Sequence, residues 1–186
     1  MSLKLFLILF FSYLALFQSV PLVKVKVDDN ITVSLPEDFQ RLSEAEVNLK
    51  YISSKQPVAV YSDRSKVVDF SVNVAFSKWR PEDLEMMRGF YKSNIMGLYD
   101  EVQFINESVE EINDRKYVVF EFVSTVRADE DEILNTESIS KYTYIQYAIV
   151  NYKTVLFHFN CPYLIKDQWS NVAGDIMQTV RIKNKI

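Results

Sequence analysis

The apolar positions of this chain follow two periods, which predict where its strands and helices lie. A spacing of two places side chains on one face of a β-strand, and spacings of three and four place them along one stripe of a helix. The strand spacing predicts strands at residues 23–27, 31–35, 57–61, 68–76, 102–105, 118–126, 142–150 and 154–161. Turns are expected at Asp28-Asp29-Asn30, Asp63-Arg64-Ser65, Asn113-Asp114 and Asn151-Tyr152-Lys153. Short polar turns favour antiparallel pairing.

The C-terminal stretch 154–182 predicts a strand followed by a helix that covers a sheet. Val155, Phe157, Phe159 and Cys161 share one strand face, and Pro162 ends the ladder. The helical stripe that follows consists of Ile165, Trp169, Val172, Ala173, Ile176, Met177 and Val180. A one-sided stripe of this kind is stable when it lies on a sheet or on other helices.

The segment 68–76 has the most regular alternation in the chain. Its apolar residues are Val68, Phe70, Val72, Val74 and Phe76, and its polar residues are Asp69, Ser71 and Asn73. This pattern predicts an antiparallel strand with one dry face.

A second helix is predicted to begin at Pro81, where the missing N–H costs nothing. Its buried stripe is expected to be Leu84, Met87, Tyr91, Ile95 and Leu98. Met86, Met87 and Met96 could form a flexible recognition surface, but core packing is the favoured interpretation of methionines on a helical stripe. Residues 42–49 are acidic and their apolar pattern is interrupted, so no helix or strand is assigned to them. Strands combined with two one-sided helices predict an α+β fold in which an antiparallel sheet is covered by two main helices.

The first nineteen residues match a secretory signal peptide. Lys4 is their one charge, and residues 5–17 are mostly apolar but short for a membrane span of about 20 residues. Cleavage after Ser19 would leave one domain, residues 20–186. The bulky Phe17 keeps open an uncleaved membrane anchor through residues 5–17. The prediction is an exported protein, periplasmic or secreted, with membrane contact only if this segment is retained.

Composition excludes several classes of function. The formal net charge of −4 and the scattered lysines and arginines argue against a nucleic-acid partner. Three glycines leave no phosphate-binding loop. Cys161, the single cysteine, rules out an intrachain disulfide and a multi-cysteine metal site, and is interpreted as a small buried hydrophobe.

No set of residues marks a catalytic or metal site. His158 is the one histidine and lies on the strand face opposite Cys161, so neither a hydrolase triad nor a zinc site can be assembled from the sequence. Paired carboxylates such as Glu110 with Glu111, or Glu121 facing a neighbouring strand, have no context that indicates a cleft. The carboxylates of residues 129–132 lack the spacing of a calcium loop and are interpreted as a solvated hairpin tip. The dense tyrosines Tyr142, Tyr144, Tyr147 and Tyr152 could line a binding surface, but cross-strand packing is favoured.

The ending Phe157-His-Phe-Asn-Cys-Pro162, followed by Trp169 in an amphipathic helix, resembles the C-terminal part of the Mog1/PsbP-like superfamily. The element order also resembles that superfamily, over residues 23–182, and an exported bacterial protein of PsbP-like or DcrB-like type fits best. The resemblance implies an antiparallel sheet between helices. Known members include a Ran-binding factor and extrinsic subunits of photosystem II, functions too diverse to transfer to this chain.

Two functions therefore stay open. The first is a non-enzymatic accessory or binding protein that contacts a protein partner in the cell envelope. The second is a carrier of a small apolar ligand beneath the interface of sheet and helix. An enzyme is disfavoured, and no cofactor is expected.

Overall fold

The computed structural model describes residues 20–51, 56–128 and 137–183. Its strands are β1 (Leu22–Lys26), β2 (Ile31–Pro36), β3 (Gln40–Arg41), β4 (Ala59–Ser62), β5 (Asp69–Phe76), β6 (Glu101–Ile112), β7 (Arg115–Val126), β8 (Ile139–Val150), β9 (Lys153–Pro162) and β10 (Arg181–Ile182). Its helices are α1 (Glu44–Lys50), α2 (Leu84–Leu98) and α3 (Lys166–Gln178). The 3₁₀ turns Pro81–Asp83 and Tyr163–Ile165 lead into α2 and α3. The predicted signal peptide lies outside the described residues and stays a prediction.

The strands form two sheets in which every pair is antiparallel. The larger sheet has the order β3-β4-β5-β9-β8-β7-β6, and the smaller has the order β1-β2-β10. A bulge between Phe104 and Asn106 interrupts the register of β6, the last strand of the larger sheet. The predicted α+β class with an antiparallel sheet is confirmed.

Two predicted hairpin turns have the backbone that tight hairpins require. Asn113 and Asp114 have φ angles of 51° and 62°, and Asn151 and Tyr152 have φ angles of 47° and 59°. Two consecutive positive φ angles match the right-handed twist of the flanking strands. Lys153, predicted to belong to the turn, is the first residue of β9.

The helix α3 covers one face of the larger sheet, as predicted. Val172, Ala173, Ile176, Met177 and Val180 are buried with the strand face that carries Val155, Phe157, Phe159 and Cys161. The smaller sheet adds Ile31, Val33 and Leu35 to the same core. The Trp169 ring packs between Phe39 and Phe159, with ring centroids at 5.6 and 6.0 Å.

The helix α2 covers the opposite face. Leu84, Met87 and Ile95 are buried against a cluster that includes Phe120, Phe122, Ile145 and Tyr147. The Tyr91 ring stacks on the Tyr147 ring at a centroid distance of 4.1 Å and an interplanar angle of 13°. Leu98 was predicted to be buried but is exposed, because it is the last residue of the helix and projects beyond this cluster. Met87 is core, whereas Met86 and Met96 lie at the surface.

The prediction of one dry face for β5 is wrong in two respects. Phe76 is 86% exposed, since it ends the strand beside Lys153 and neither core cluster reaches it. Asp69 and Ser71, expected on an open polar face, are buried. Asp69 accepts hydrogen bonds from Lys50 and Ser62, so the second face is also covered at this end. Val126, assigned to the apolar face of β7, is likewise half exposed at its strand end.

Besides the two-residue strand β3, two elements have no counterpart in the sequence prediction. The first is α1, which begins at a capping box: the Ser43 backbone N–H donates to Glu46 Oε2 at 2.8 Å, and the Glu46 N–H donates to Ser43 Oγ at 3.4 Å. The second is β10, whose residues Arg181 and Ile182 pair with Thr32 and Ile31 of β2. The C-terminal end of the described chain thereby joins the N-terminal hairpin.

Candidate functional site

A cleft of about 360 Å³ opens on the α2 side of the larger sheet, beside the last turn of that helix. We name it the polar cleft. Its wall and floor include Lys50, Asp69, Lys141, Thr143, His158 and Asn160. Tyr99, which follows α2, lines its side.

The polar cleft exists because the side chains on this sheet face change character along the strands. In β9 the residues on this face run from Leu156 to His158 and Asn160, and only Leu156 packs with the α2 core. In β8 they run from Ile145 to Thr143 and Lys141. Ile145 pairs with His158, and Thr143 pairs with Asn160, so the polar positions of both strands are side by side. The helix covers the apolar part and ends where the polar part begins.

Asp69 is the charged centre of one wall. Its carboxylate is 3% exposed, receives Lys50 Nζ at 2.7 Å, and accepts a hydrogen bond from Ser62 Oγ at 2.7 Å. The Tyr51 hydroxyl lies 3.4 Å from Asp69 Oδ2. Burial, followed by the charge of Asp69, raises the pKa of Tyr51, which keeps this phenol protonated. The carboxylate is therefore fully engaged by its own chain.

His158 lies on the cleft floor as a neutral imidazole. Its pKa is lowered to about 4, chiefly by burial; the charge of Asp69 opposes this effect, and the charge of Lys141 adds to it. No other described residue forms a hydrogen bond with its ring, and Asp69 is the one carboxylate among the described residues that line the cleft. The arrangement offers hydrogen-bonding groups to a ligand, but it does not align a nucleophile with a base. Within the described part of the chain no three His, Cys, Asp or Glu side chains converge on a possible metal position.

Cys161 lies on the other side of the sheet, as predicted. Its side chain is fully buried, and burial raises the pKa of its thiol to about 12. The thiolate needed for nucleophilic chemistry is thus suppressed.

A second surface lies at the other end of α2, and we name it the aromatic surface. It consists of Phe76, Trp79, Phe90 and Tyr152. The Trp79 and Phe90 ring centroids are 5.6 Å apart, and Trp79 borders one cleft with Phe76 and another with Tyr152. The exposed fractions of Phe76, Tyr152 and Phe90 are 86%, 75% and 50%.

Backbone contacts hold the aromatic surface together. The Ser77 N–H donates to the Tyr152 carbonyl at 2.9 Å, which ties the end of β5 to the β8–β9 turn. The Trp79 N–H donates to Ser77 Oγ at 3.0 Å. Lys153 Nζ lies 5.6 Å from the Phe76 ring centroid, and exposed Lys78 and Arg80 flank Trp79 in the chain. Glu82 lines the same cleft as Trp79 and lies 4.0 Å from Arg80, so Lys78 and Lys153 are the basic side chains beside the exposed rings that have no ion pair with a described residue.

The other residues considered from sequence are structural. Tyr142, Tyr144 and Tyr147 are buried in the sheet, as the packing interpretation predicted, and only Tyr152 of that group is exposed. Glu121 accepts a hydrogen bond from the Tyr142 hydroxyl at 2.8 Å, and burial together with Glu121 raises the pKa of Tyr142. Glu110 is bonded to Asn106 and Ser108 of its own strand, and Glu111 lies on the other side of that strand. The acidic residues 129–132 lie outside the described residues.

Sequence reasoning missed both surfaces. A signal for the polar cleft was present: Asp69, Thr143, His158 and Asn160 all occupy the same face of neighbouring strands. Strand order, which brings β5, β9 and β8 together, is needed to see that they meet. Of the aromatic surface, only Tyr152 was among the tyrosines considered for binding, and Phe76 has no signal because it continues an apolar alternation.

Comparison with known proteins finds solved structures with a similar fold but no protein with a significantly similar sequence. No family model matches the chain, and no curated protein matches it significantly. Among solved structures, the cyanobacterial PsbP protein CyanoP of Synechocystis sp. PCC 6803 has a TM-score of 0.57 and 10% identity, covering 89% of this chain and 95% of its own. LpqN of Mycobacterium tuberculosis, described as involved in cell envelope biogenesis, has a TM-score of 0.56 and 11% identity, covering 88% and 91%.

The Ran-binding protein Mog1p of Saccharomyces cerevisiae has a TM-score of 0.56 and 13% identity, covering 88% of this chain and 96% of its own. At these identities the likeness concerns the fold alone. The chain therefore has a Mog1/PsbP-like fold, as the sequence resemblance implied. None of the helices seen in residues 20–51, 56–128 and 137–183 combines the length and apolar content needed to span a membrane.

Proposed function

We propose that this protein is an exported, non-enzymatic accessory protein that binds a partner protein through the aromatic surface. The observation that carries the proposal is the grouping of Phe76, Trp79 and Tyr152 at one end of the sheet, with two of the three rings largely in water. Aromatic side chains bring large apolar area to an interface while losing little conformational entropy, and they are enriched at interface centres. Phe76 and Tyr152 lie outside both core clusters, whereas Trp79 is partly buried against the α2 core and anchors the group.

The likeness to Mog1p, described as Ran-binding, supports a protein-binding role, and the likeness to LpqN supports a place in the cell envelope. Lys78 and Lys153 beside the rings favour a partner whose contact surface combines apolar residues with acidic ones. Export rests on the N-terminal pattern of residues 1–19.

The test is a quantitative pull-down from envelope extracts of the cells that make the protein. The double variant Phe76→Ser/Tyr152→Ser removes the two most exposed rings. The matched control, Tyr163→Ser/Leu164→Ser, removes an exposed aromatic and an exposed aliphatic side chain near the opposite end of β9. We expect one reproducible partner that the wild type and the control variant retain and the first variant loses. Recovery of no partner, or equal recovery by both variants, contradicts the proposal.

Export has its own test. The N-terminal sequence of the protein purified from the envelope is expected to begin at Val20, after cleavage following Ser19. An N-terminal sequence that begins at or next to Met1, in protein recovered from a membrane fraction, indicates the uncleaved anchor. Recovery of the protein from the cytoplasm alone refutes export.

A second candidate function is the carriage of a small ligand, which the polar cleft favours. Its volume of about 360 Å³ lies within the range of small-molecule sites, roughly 300–1,000 Å³. Native mass spectrometry of the purified protein is expected to show a co-purifying mass that disappears on unfolding. The absence of any added mass in protein purified without detergent argues against a resident ligand.

A further inference from the structure

We propose that the polar cleft binds a small carboxylate that carries an apolar tail. The proposal rests on the second candidate function and is independent of the aromatic surface. Three features of the cleft support it: its charge, its unused hydrogen-bonding groups and its apolar margin.

Among the described residues that line the cleft, one positive charge has no ion-pair partner. Lys50 is 2.7 Å from the Asp69 carboxylate, so these two charges compensate each other. Lys141, on the opposite wall, is exposed and forms no ion pair with any described residue. A concave site with one surplus cation favours an anionic group.

The floor beside Lys141 offers hydrogen-bonding side chains that the described chain does not use. Thr143 and Asn160 are paired across β8 and β9, and His158 lies one position further along the same face. Thr143 is 3% exposed, yet its hydroxyl is not hydrogen-bonded to another described side chain. Buried polar groups are normally paired with protein or with water. A carboxylate has about four acceptor positions and can take donors from a hydroxyl, an amide and an imidazole together.

The margin of the cleft is apolar. Val126 is 46% exposed, Ile139 is 53% exposed, and the half-buried Tyr99 ring stands between them and α2. Three adjoining apolar side chains at the mouth of a polar pocket match a ligand with a hydrocarbon tail. At roughly 30 Å³ for each water molecule, the cleft of about 360 Å³ has the volume of about twelve waters, which is room for a ligand of the size of hexanoate.

The test uses three probes with the same tail and different head groups: hexanoate, hexanol and hexylammonium. Since His158 is the one histidine of the chain, its ring signals in NMR spectra report on the cleft without ambiguity. At neutral pH we expect hexanoate to shift these signals saturably, hexanol to bind more weakly, and hexylammonium to leave them unchanged. Isothermal titration calorimetry gives the affinities.

The variant Lys141→Met removes the surplus charge and keeps most of the side-chain volume. We expect this variant to raise the dissociation constant for hexanoate about tenfold, because one partly screened ion pair is lost. Lys78→Met, at an exposed lysine beside the aromatic surface, is the matched control, and this variant is expected to bind hexanoate like the wild type. Equal binding of all three probes, no binding of hexanoate, or unchanged affinity in Lys141→Met overturns the inference. None of these results bears on partner capture by the aromatic surface, so the two proposals fail separately.

Discussion

Replacing Phe70 by alanine is expected to destabilise this protein far more than replacing Phe76, although both belong to one face of β5. The Phe70 side chain is 0% exposed and stacks with Phe157 at a ring-centroid distance of 6.3 Å. Complete burial of a phenylalanine removes about 150–250 Å² from water, which at about 25 cal/mol per Å² corresponds to roughly 4–6 kcal/mol. Alanine retains part of this, and measured core substitutions of this type cost about 3–5 kcal/mol.

Phe76 is the matched control because the residue type, the strand and the substitution are the same. Its side chain is 86% exposed, and its recognised contact is with Lys153 Nζ at 5.6 Å from the ring centroid. An exposed cation–π contact contributes about 0.5–1 kcal/mol, so Phe76→Ala is expected to lower the free energy of unfolding by no more than about 1 kcal/mol.

Urea unfolding followed by circular dichroism measures the free energy of unfolding of both variants. The comparison requires that the free energy falls with urea concentration at the same slope in each. A loss of about 3–5 kcal/mol is a large part of the 5–15 kcal/mol typical of a folded domain, so Phe70→Ala should unfold at clearly lower urea. Equal losses for the two variants, or a loss below about 1 kcal/mol for Phe70→Ala, would refute the assignment of buried and exposed ends of β5.

Three further predictions concern single buried groups. Burial lowers the pKa of His158 in the folded protein to about 4 from 6.5, so the unfolded chain takes up the proton first as the pH falls. The free energy of unfolding should therefore decrease by about 3 kcal/mol between pH 6.5 and 4 through this group, and an NMR titration of the folded His158 ring with a midpoint near 6.5 would disprove the prediction. The Cys161 thiol, with its pKa raised to about 12, should resist a thiol reagent at pH 8 in the native protein and react fully in urea; rapid native labelling would contradict this. The side-chain amide of Gln146 is completely buried and has no hydrogen bond of normal geometry to another described residue. Gln146→Met should therefore raise the free energy of unfolding by about 1–2 kcal/mol, and a lower value measured by urea unfolding would indicate that the amide has a partner.

The strands and the two covering helices could be predicted from sequence because each has a strong local period. The α3 stripe from Val172 to Met177, the buried Val180 just after the helix and the buried face of β9 were predicted residue by residue, since burial on one side determines which positions are apolar. The hairpin at Asn113 and Asp114 was predictable from turn chemistry.

What escaped prediction depends on contacts between distant residues or on signals that are short. The capping box of Ser43 and Glu46 was readable, but the seven-residue helix behind it has a single buried residue, Val47, and no clear stripe. Pairing of β10 with β2 joins residues about 150 positions apart and has no local signature. The polar cleft likewise needs three strands placed side by side, and the exposure of Phe76 depends on where the covering elements stop.

The ends of the larger sheet also bear on how the protein behaves at high concentration. An unpaired outer strand can recruit the same strand of another molecule and lengthen the sheet into an aggregate. β3 is only two residues long, and the bulge at Phe104 and Asn106 breaks β6 into two unequal pieces. Glu101 and Glu107 on that strand are paired, the first with Arg127 and the second with Arg88 and Lys92, but Glu110 and Glu111 have no ion pair among the described residues. A second copy would therefore meet both a misaligned ladder and some electrostatic repulsion. The twelve-residue strand β6 can therefore lie at the margin of the sheet with little tendency to pair with a second copy.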